Sequence, residues 1–346
     1  MNDKKILICN AQIPFSYGGA EIMVGNLHKE LKARGFNTEI VQLPYRWYPP
    51  EKLLDSAFAW RLIDLTECNG VKPDLVIATK FPSYIVEHPN KVTWLMHQYR
   101  GAYDLYTSEY TDLKGMEGEK IRRQIVEMDN RTLTESKKLY SISQTVADRL
   151  WNYNHLKADC LYQPPKNPEK FYSESYGDYI LSVGRLDKLK RLELLIQALK
   201  YCDKRIRAKI AGRGSEQQAL MDLAEQEGVA ERVEFLGFVA EEEVYSLYAN
   251  AFSVFFAPKD EDYGFITLEA FLSKKPVVTC ADSGGVLEFV KDGKSGCVCE
   301  SPEELGTAIE KLWQDKKACQ RMGESGYEIV SPITWDAVIE ALTESL

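Results

Sequence analysis

The sequence lacks several features that would place it in familiar classes of protein. None of its apolar runs approaches the roughly 20 residues that a membrane-spanning helix needs. The residues after Met1 lead into a short apolar strand and not into the core of a signal peptide. The eight cysteines form no CxxC pair and no Cys/His cluster at zinc spacing. We therefore expect a cytoplasmic protein with reduced, mostly buried cysteines and no bound metal.

The sequence is also poor in positive charge. Lys and Arg together number 43 against 52 Asp and Glu, which gives a net charge of −9. Because nucleic-acid binding needs a basic surface, we expect no nucleic-acid partner. The motifs GxGxxG, GxxxxGK[ST], GxSxG and HExxH are absent. Their absence argues against a nicotinamide-dependent dehydrogenase, a P-loop enzyme, a serine hydrolase of the elbow type and a zinc protease.

What the sequence does contain is a regular alternation of strand-like and helix-like segments along nearly the whole chain. This alternation predicts βαβ units, parallel sheets and helices on both faces of each sheet. Three prolines within residues 162–168 would stop both helix and strand. We therefore expect two doubly wound α/β domains, residues 1–165 and 166–330, that face one another across a cleft. An amphipathic helix within residues 331–346 is expected to pack back toward the first domain.

The most informative segment is an acidic loop that follows a predicted strand and opens a helix. Glu261 and Glu269 stand eight positions apart, with Gly264 and Thr267 between them. The N-terminus of a helix offers unpaired N–H groups and partial positive charge, which suit a phosphate. Carboxylates repel phosphate, so they are better explained as acceptors for hydroxyl groups on whatever the phosphate carries. A phosphate with hydroxyl groups on both sides is typical of a nucleotide sugar.

Two cations belong to the loop after the first predicted strand of the second half. Arg185 ends that strand, and Lys190 begins the following helix. A guanidinium and an ammonium group from one loop could bracket a diphosphate. The alternative is a solvated basic helix start, which is weakened because cations are disfavoured at helix N-termini unless an anion lies nearby. The neighbouring Lys188 and Arg191 are interpreted as surface charges.

Glycine loops stand at two other strand-to-helix turns. Gly18 and Gly19 precede a helix whose first turn holds Glu21, and Gly212 follows a strand of the second half. Glycine lets backbone N–H groups approach an anion or a sugar closely. Each loop alone is weak evidence, since a structural turn is equally compatible with it and Glu21 would in any case favour the helix dipole.

His97 is the histidine of interest among the four in the chain. It ends a predicted apolar strand over residues 92–97, which would bring it to the cleft. There it could hydrogen-bond a sugar hydroxyl or stabilise a developing charge. A histidine at a strand end is as often structural, so both interpretations stay open.

With these residues in view, the chain resembles a retaining glycosyltransferase of family 4, which has the GT-B fold, over nearly its whole length. Glu261 and Glu269 match the Glu-x7-Glu signature of that family, and Arg185 with Lys190 matches its donor-phosphate pair. Weaker matches are the first glycine loop of the family, here residues 18–21, and its AGxG turn, here residues 211–214. His97 matches its cleft histidine, and Trp335 matches the aromatic residue of its last helix.

The resemblance implies a role for each residue. Arg185 and Lys190 would stabilise the departing diphosphate. Glu261 would orient a hydroxyl of the donor sugar, Glu269 would accept from the ribose, and His97 would contact the sugar. The remaining donor-binding positions would be Gly18, Gly19, Gly212, Gly264, Phe265, Ile266 and Thr267. Hexosyl transfer would proceed on the front face with retention, and Arg and Lys would replace a metal ion. The nucleotide sugar is a co-substrate, so no cofactor is expected.

The acceptor is expected on the first domain. Residues 44–50 and 60–61 are rich in aromatic and Arg side chains, which stack on sugars and also suit a membrane interface. For Trp60, ordinary packing is the favoured alternative. The mixed-charge residues 115–131 are a weaker sign of peripheral contact with the inner face of a membrane, since mixed charge more often means solvent. The expected partners are a nucleotide-diphosphate sugar and a sugar or lipid-linked acceptor, in cell-surface glycan or glycolipid synthesis.

Two other hypotheses share the same fold. A GT-B epimerase or phosphorylase would need acid and base groups clustered near the donor sugar. A non-catalytic GT-B module that binds a nucleotide sugar or a partner would not need Glu261, Arg185 and Lys190 to be intact. Residues 262–264 read Asp-Tyr-Gly where Gly-Phe-Gly or Pro-Phe-Gly is commoner in the family, which leaves the donor sugar open.

Overall fold

The computed structural model describes residues 3–15, 18–109 and 111–346. The chain forms two compact units, Met1–Gln163 with Thr334–Leu346, and Pro164–Ile333. Each unit is built on one six-stranded sheet in which all neighbouring strands are parallel. The predicted pair of doubly wound α/β domains is therefore confirmed as a fold. Within the described residues, no helix is both long enough and apolar enough to cross a bilayer.

The sheet of the first unit has the strand order β2-β1-β3-β4-β5-β6. Its strands are β1 (Lys5–Gln12), β2 (Asn37–Pro44), β3 (Leu75–Ala78), β4 (Lys91–Leu95), β5 (Lys138–Ser141) and β6 (Asp159–Cys160). The helices between them are α1 (Gly19–Ala33), α2 (Glu51–Leu62), α3 (Gly115–Leu133) and α4 (Gln144–Asn154). The direction of winding reverses between β1 and β3, and ligands of such folds bind beyond the carboxyl ends of the strands at this switch point.

The sheet of the second unit has the order β12-β11-β10-β7-β8-β9. Its strands are β7 (Tyr179–Val183), β8 (Arg207–Ala211), β9 (Val233–Gly237), β10 (Ser253–Phe255), β11 (Val277–Cys280) and β12 (Gly296–Cys299). The helices are α5 (Leu192–Ala198), α6 (Gln217–Gln226), α7 (Glu241–Asn250), α8 (Phe265–Leu272), α9 (Val286–Phe289), α10 (Pro302–Gln314) and α11 (Lys316–Val330). Here the switch point falls between β7 and β10, so the loops after these two strands lead to the expected ligand position.

Strands in the sheet interiors are buried on both faces, as parallel strands covered by helices on both sides must be. Every residue of β4 and β11 is buried. The predicted strand over residues 92–97 is too long at its end, because β4 stops at Leu95. His97 therefore lies in the loop beyond the strand and not at its last position.

The last helix, α12 (Trp335–Thr343), begins after Thr334, whose side chain accepts a hydrogen bond from the backbone N–H of Ala337. Trp335 packs edge-on against Trp94 with ring centroids 6.4 Å apart. The Tyr140 hydroxyl donates to the carbonyl of Ala341 at 3.2 Å. These contacts attach α12 to the sheet of the first unit, so the chain returns to that unit after completing the second.

Candidate functional site

Three loops meet at the carboxyl edge of the second sheet. They follow β7, β10 and β11 and comprise residues 184–191, 256–264 and 281–285. The backbone joins them, because Lys259 N–H donates to the Leu189 carbonyl at 2.9 Å and Asp260 N–H donates to the Asp282 carbonyl at 3.0 Å. Gly285 N–H donates to the Glu261 carbonyl at 2.7 Å. The loop that carries the predicted cations and the loop that carries the predicted carboxylate thus form one structure.

Lys190 and Glu261 form an ion pair, with Nζ 2.5 Å from Oε2. Their side chains are 21% and 24% exposed, so the pair is sheltered but accessible to a ligand. The ammonium group also lies 5.5 Å from the centre of the Phe256 ring. The sequence assigned these two residues to the same site, and the structure brings them into direct contact.

Arg185 follows β7 directly and shares a small cavity with Lys190, Gly184 and Phe256. Its side chain is 70% exposed and lies 3.6 Å from the carboxylate of Asp187. The guanidinium is therefore held weakly and can reorient toward a ligand, whereas Lys190 is already fixed by Glu261.

Arg191 is not the surface charge that its sequence context predicts. Its guanidinium donates to the carbonyls of Ala257 at 2.8 Å and Pro258 at 3.0 Å, and to both oxygens of Asp282 at 2.6 and 3.0 Å. Lys259 donates to the same carboxylate at 2.7 Å. The hydrogen bond from Arg191 is the main reason that the pKa of Asp282 falls to about 2. Arg191 therefore clamps together the three loops on which Lys190 and Glu261 stand.

The first turn of α8 follows the loop that carries Glu261. Gly264 precedes it with φ 83°, a left-handed conformation that favours glycine. A Cβ there would also lie 3.0 Å from the Phe256 ring. Phe265 and Ile266 occupy the first two helical positions, whose N–H groups have no partner within a helix. The Thr267 hydroxyl is buried and has no hydrogen-bond partner among the described residues.

Glu269 lies in the second turn of α8, where the Tyr248 hydroxyl donates to its Oε2 at 2.8 Å. Burial raises the pKa of Glu269, and the hydrogen bond from Tyr248 opposes that rise. Tyr248 is fully buried, so it fixes the carboxyl group from the side of the core. Sequence reasoning did not include Tyr248 in the site.

Gly212 has a structural role that explains its presence without a ligand. A Cβ at this position would lie 1.7 Å from the carbonyl oxygen of Gly184, which no backbone shift of ordinary size relieves. Its N–H donates to the carbonyl of Gly237 at 2.7 Å. The structural alternative left open by the sequence is therefore favoured: Gly212 lets the loop after β8 pack against the loop that carries Arg185.

The remaining predicted site residues belong to the first unit. Gly18 N–H donates to Glu21 Oε2 at 3.0 Å, and Glu21 Oε1 lies 2.9 Å from Lys80 Nζ. The side chains of Glu21 and Lys80 are only 11% and 10% exposed, so Glu21 does more than complement the helix dipole. A Cβ at Gly19 would meet no atom within 4 Å. Lys80 was missed because nothing in its local sequence relates it to Glu21.

His97 is partly buried, and its Nδ1 lies 2.8 Å from the carbonyl oxygen of Gln98. A carbonyl oxygen only accepts, so Nδ1 donates the proton of this hydrogen bond. Trp60, by contrast, is 1% exposed and belongs to the core, as the alternative interpretation expected. Within the described residues, no group of three or more His, Cys, Asp or Glu side chains is arranged to hold a metal.

Part of the chain is similar in sequence to known glycosyltransferases. Residues 165–329 match the family model described as "Glycosyl transferases group 1". The comparisons support a glycosyltransferase with the GT-B fold. An uncharacterized glycosyltransferase of Methanocaldococcus jannaschii is 35% identical over 140 residues, which cover 39% of this chain and 36% of the relative. A D-inositol 3-phosphate glycosyltransferase of Corynebacterium diphtheriae is 32% identical over 171 residues, which cover 46% of this chain and 40% of the relative.

Solved structures match nearly the whole chain at lower identity and thereby support the fold. Sucrose-phosphate synthase from Thermosynechococcus elongatus has a TM-score of 0.80 and 16% identity, with 99% of this chain and 98% of the other covered. The Anabaena protein HepE, solved in complex with UDP and glucose, has a TM-score of 0.72 and 19% identity, with coverage of 99% and 100%. The sequence matches span less than half the length of the first three curated relatives.

Proposed function

We propose that this chain is a retaining hexosyltransferase that moves a hexosyl group from a nucleotide-diphosphate sugar to a sugar or lipid-linked acceptor. The observation that carries the proposal is the Lys190–Glu261 ion pair beside Arg185, at the switch point of the second sheet. This combination provides groups for both halves of a nucleotide sugar: cations for its diphosphate and a carboxylate for its sugar hydroxyls.

The charges around this switch point suit a diphosphate that leaves as an anion. Lys190 and Arg185 supply two positive charges from one loop. The N–H groups of Phe265 and Ile266, at the start of α8, add donors at the positive end of a helix dipole. Cations and oriented dipoles stabilise the charge that develops as the bond to the sugar breaks. In this proposal they neutralise the leaving group without a metal ion.

The ion pair itself gives the site a way to respond to the donor. Phosphate oxygens that approach Lys190 compete with Glu261 for its ammonium group. The carboxylate can then accept a hydrogen bond from a hydroxyl of the sugar that the phosphate carries. We propose that Glu261 orients the sugar in this way, while Glu269, held by Tyr248, accepts from the ribose. His97 contacts the sugar through Nε2.

A cluster of aromatic residues after β2 is the proposed acceptor region. Tyr45 and Trp47 have ring centroids 6.4 Å apart, and Trp47 and Tyr48 lie 5.2 Å apart edge-to-face. Tyr48 is 53% exposed, and the guanidinium of Arg46 lies 4.7 Å from its ring centre. Exposed aromatic faces stack on sugar rings, and such residues also suit the surface of a membrane that carries a lipid-linked acceptor.

Binding of a nucleoside diphosphate tests the proposal. Arg185→Ala and Lys190→Ala should each raise the dissociation constant of UDP at least about tenfold, because each removes a charge-assisted hydrogen bond. UDP is tried first because HepE binds it, and GDP and ADP follow. Titration calorimetry gives the constants. Lys188→Ala is the matched control, since Lys188 is an exposed cation of the same turn.

Unchanged dissociation constants in both variants would remove the phosphate assignment. Equal losses in all three variants would mean that general electrostatic attraction, and not a site, holds the nucleotide. Slow hydrolysis of a panel of nucleotide sugars then identifies the donor, since a transferase consumes its own donor in water while a pure binding module consumes none.

A further inference from the structure

Asp129 is a fully buried carboxyl group of α3 that the proposed reaction does not use. The Tyr84 hydroxyl donates to its Oδ1 at 2.9 Å, and the Tyr103 hydroxyl donates to its Oδ2 at 2.6 Å. Within the described parts of the chain, no Lys, Arg or His side chain pairs with it. A buried carboxyl group without a cation costs free energy that an apolar residue would not. This cost indicates that Asp129 serves a purpose that an apolar residue would not.

The hydrogen bonds of Asp129 continue toward His97. The Tyr103 hydroxyl accepts from Asn154 Nδ2 at 3.3 Å, and Asn154 Oδ1 accepts from Gln98 Nε2 at 2.7 Å. Gln98 is 1% exposed, so its side chain is enclosed by the protein.

The backbone completes the connection. The carbonyl oxygen of Gln98 accepts from His97 Nδ1 at 2.8 Å. Since β4 ends at Leu95, His97 and Gln98 lie in a loop, where the carbonyl of His97 accepts from Phe81 N–H at 3.2 Å. Anchoring the Gln98 side chain fixes the direction of its carbonyl, and that carbonyl fixes both the tautomer and the orientation of the imidazole ring.

We infer that Asp129, Tyr103, Asn154 and Gln98 form a buried network that positions His97 for its contact with the donor sugar, an inference that rests on the proposed transferase function. These four are positioning residues, because they act through His97 and the Gln98 carbonyl. A buried hydrogen-bond network holds one arrangement only when every polar group in it has a partner, so the loss of one hydrogen bond loosens the whole network.

Two tyrosines provide a matched pair of variants. Tyr84 and Tyr103 are 0% and 3% exposed, and each donates one hydrogen bond to Asp129. Only the Tyr103 hydroxyl continues to Asn154. Tyr84→Phe and Tyr103→Phe therefore remove the same chemical group from the same carboxyl, while only the second cuts the connection to His97.

Steady-state kinetics with the identified donor measure the difference. Tyr103→Phe should lower kcat about tenfold with the donor KM within about twofold of wild type, because a misdirected ring affects the reaction more than ground-state binding. Tyr84→Phe should change kcat by less than about twofold. Asn154→Ala is a second variant that cuts the same link, should Tyr103→Phe fold poorly. Equal effects of Tyr84→Phe and Tyr103→Phe on kcat would overturn the inference.

A spectroscopic test works without turnover. The imidazole nitrogens of the four histidines are observed by ¹⁵N NMR, and His97→Ala assigns the signal of His97. Wild type and Tyr84→Phe should show the neutral tautomer with the proton on Nδ1, and Tyr103→Phe should show a mixture. An unchanged tautomer in Tyr103→Phe would refute the positioning network even in an active enzyme. Conversely, a shifted tautomer in a protein that transfers no sugar would refute the proposed function alone.

Discussion

The loops at the switch point of the second sheet and the interior around α3 of the first unit hold charged groups in different ways. In the switch-point loops the charges are paired and partly exposed: Lys190 lies against Glu261, and Arg191 and Lys259 share Asp282. In the first unit Asp129 is wholly buried among neutral donors. Lys91, also wholly buried there, donates to the carbonyls of Tyr84, Val86 and Thr132 at 2.9–3.0 Å.

This difference separates groups that can exchange partners from groups that cannot. A partly exposed ion pair contributes little to stability, so an anionic ligand can replace one member at small cost. A buried charge held by several hydrogen bonds loses far more when one bond is broken. The switch-point loops are therefore suited to binding a charged donor, and the polar interior of the first unit is suited to keeping side chains in one position.

The largest expected effect comes from removing the exchangeable carboxylate. Glu261→Ala should lower sugar transfer at least about a thousandfold while the thermal midpoint stays within a few degrees, because the group is partly exposed and acts on the substrate. Initial rates with the identified donor and circular dichroism melting measure the two quantities. Asp260→Asn, a change at the exposed neighbouring carboxylate, is the control and should keep near-normal activity. Full turnover by Glu261→Ala would end its place in the mechanism.

The next effect tests the clamp under the site. Arg191→Ala leaves the carbonyls of Ala257 and Pro258 without their side-chain donor and Asp282 with Lys259 alone, so the free energy of unfolding should fall by about 1–3 kcal/mol. Because Lys190 and Glu261 stand on the clamped loops, kcat should fall about tenfold as well. Lys259→Ala removes only an exposed partner of Asp282 and should do much less on both counts. Urea unfolding measures the change in stability, and initial rates measure the change in kcat. Equal losses of both in Arg191→Ala and Lys259→Ala would mean that Arg191 is only one more surface charge.

The site of the second unit could be predicted from the sequence because the predicted sheet topology brings the strand ends that carry it together. Strand periodicity locates the ends of β7 and β10, and the winding of a doubly wound sheet makes those ends neighbours. Arg185, Lys190 and Glu261 follow directly from that rule. Arg191 does not, because its partners Ala257 and Asp282 lie 66 and 91 positions away and nothing local distinguishes it from a solvated cation.

Asp129 did leave a signal in the sequence. It stands at i+8 from Ile121 and i+4 from Ile125, on the apolar stripe of α3 that faces the core. A lone carboxylate on such a stripe indicates either an error in the helix assignment or a buried polar network. Its partners Tyr84 and Tyr103, and Asn154 that donates to Tyr103, come from three other segments, so their identity required the folded structure.

The smallest expected effect distinguishes the carboxyl groups of Asp129 and Asp282 by pH. Burial raises the pKa of Asp129 to about 7, against opposing hydrogen bonds from Tyr103 and Tyr84. A folded pKa above the unfolded value of about 4 means that the stabilising contribution is present below pH 4 and is lost as pH rises to 7. Asp282, with its pKa lowered to about 2, contributes above pH 4 and loses that contribution as pH falls to 2.

Asp129→Asn and Asp282→Asn should therefore differ from wild type in opposite pH ranges. The amide introduced by Asp129→Asn cannot ionise. As pH rises from 4.5 to 7.5, the free energy of unfolding of wild type should therefore fall relative to that of Asp129→Asn, by an amount equivalent to a few degrees in Tm. The deficit of Asp282→Asn should be constant over that range and shrink as pH falls from about 4 to 2, because wild-type Asp282 takes up a proton in the unfolded chain before it does so in the folded one. Urea unfolding followed by tryptophan fluorescence measures both. A difference between Asp129→Asn and wild type that does not change with pH would mean that Asp129 is ionised throughout, and the contrast between the two regions would then rest on hydrogen bonding alone.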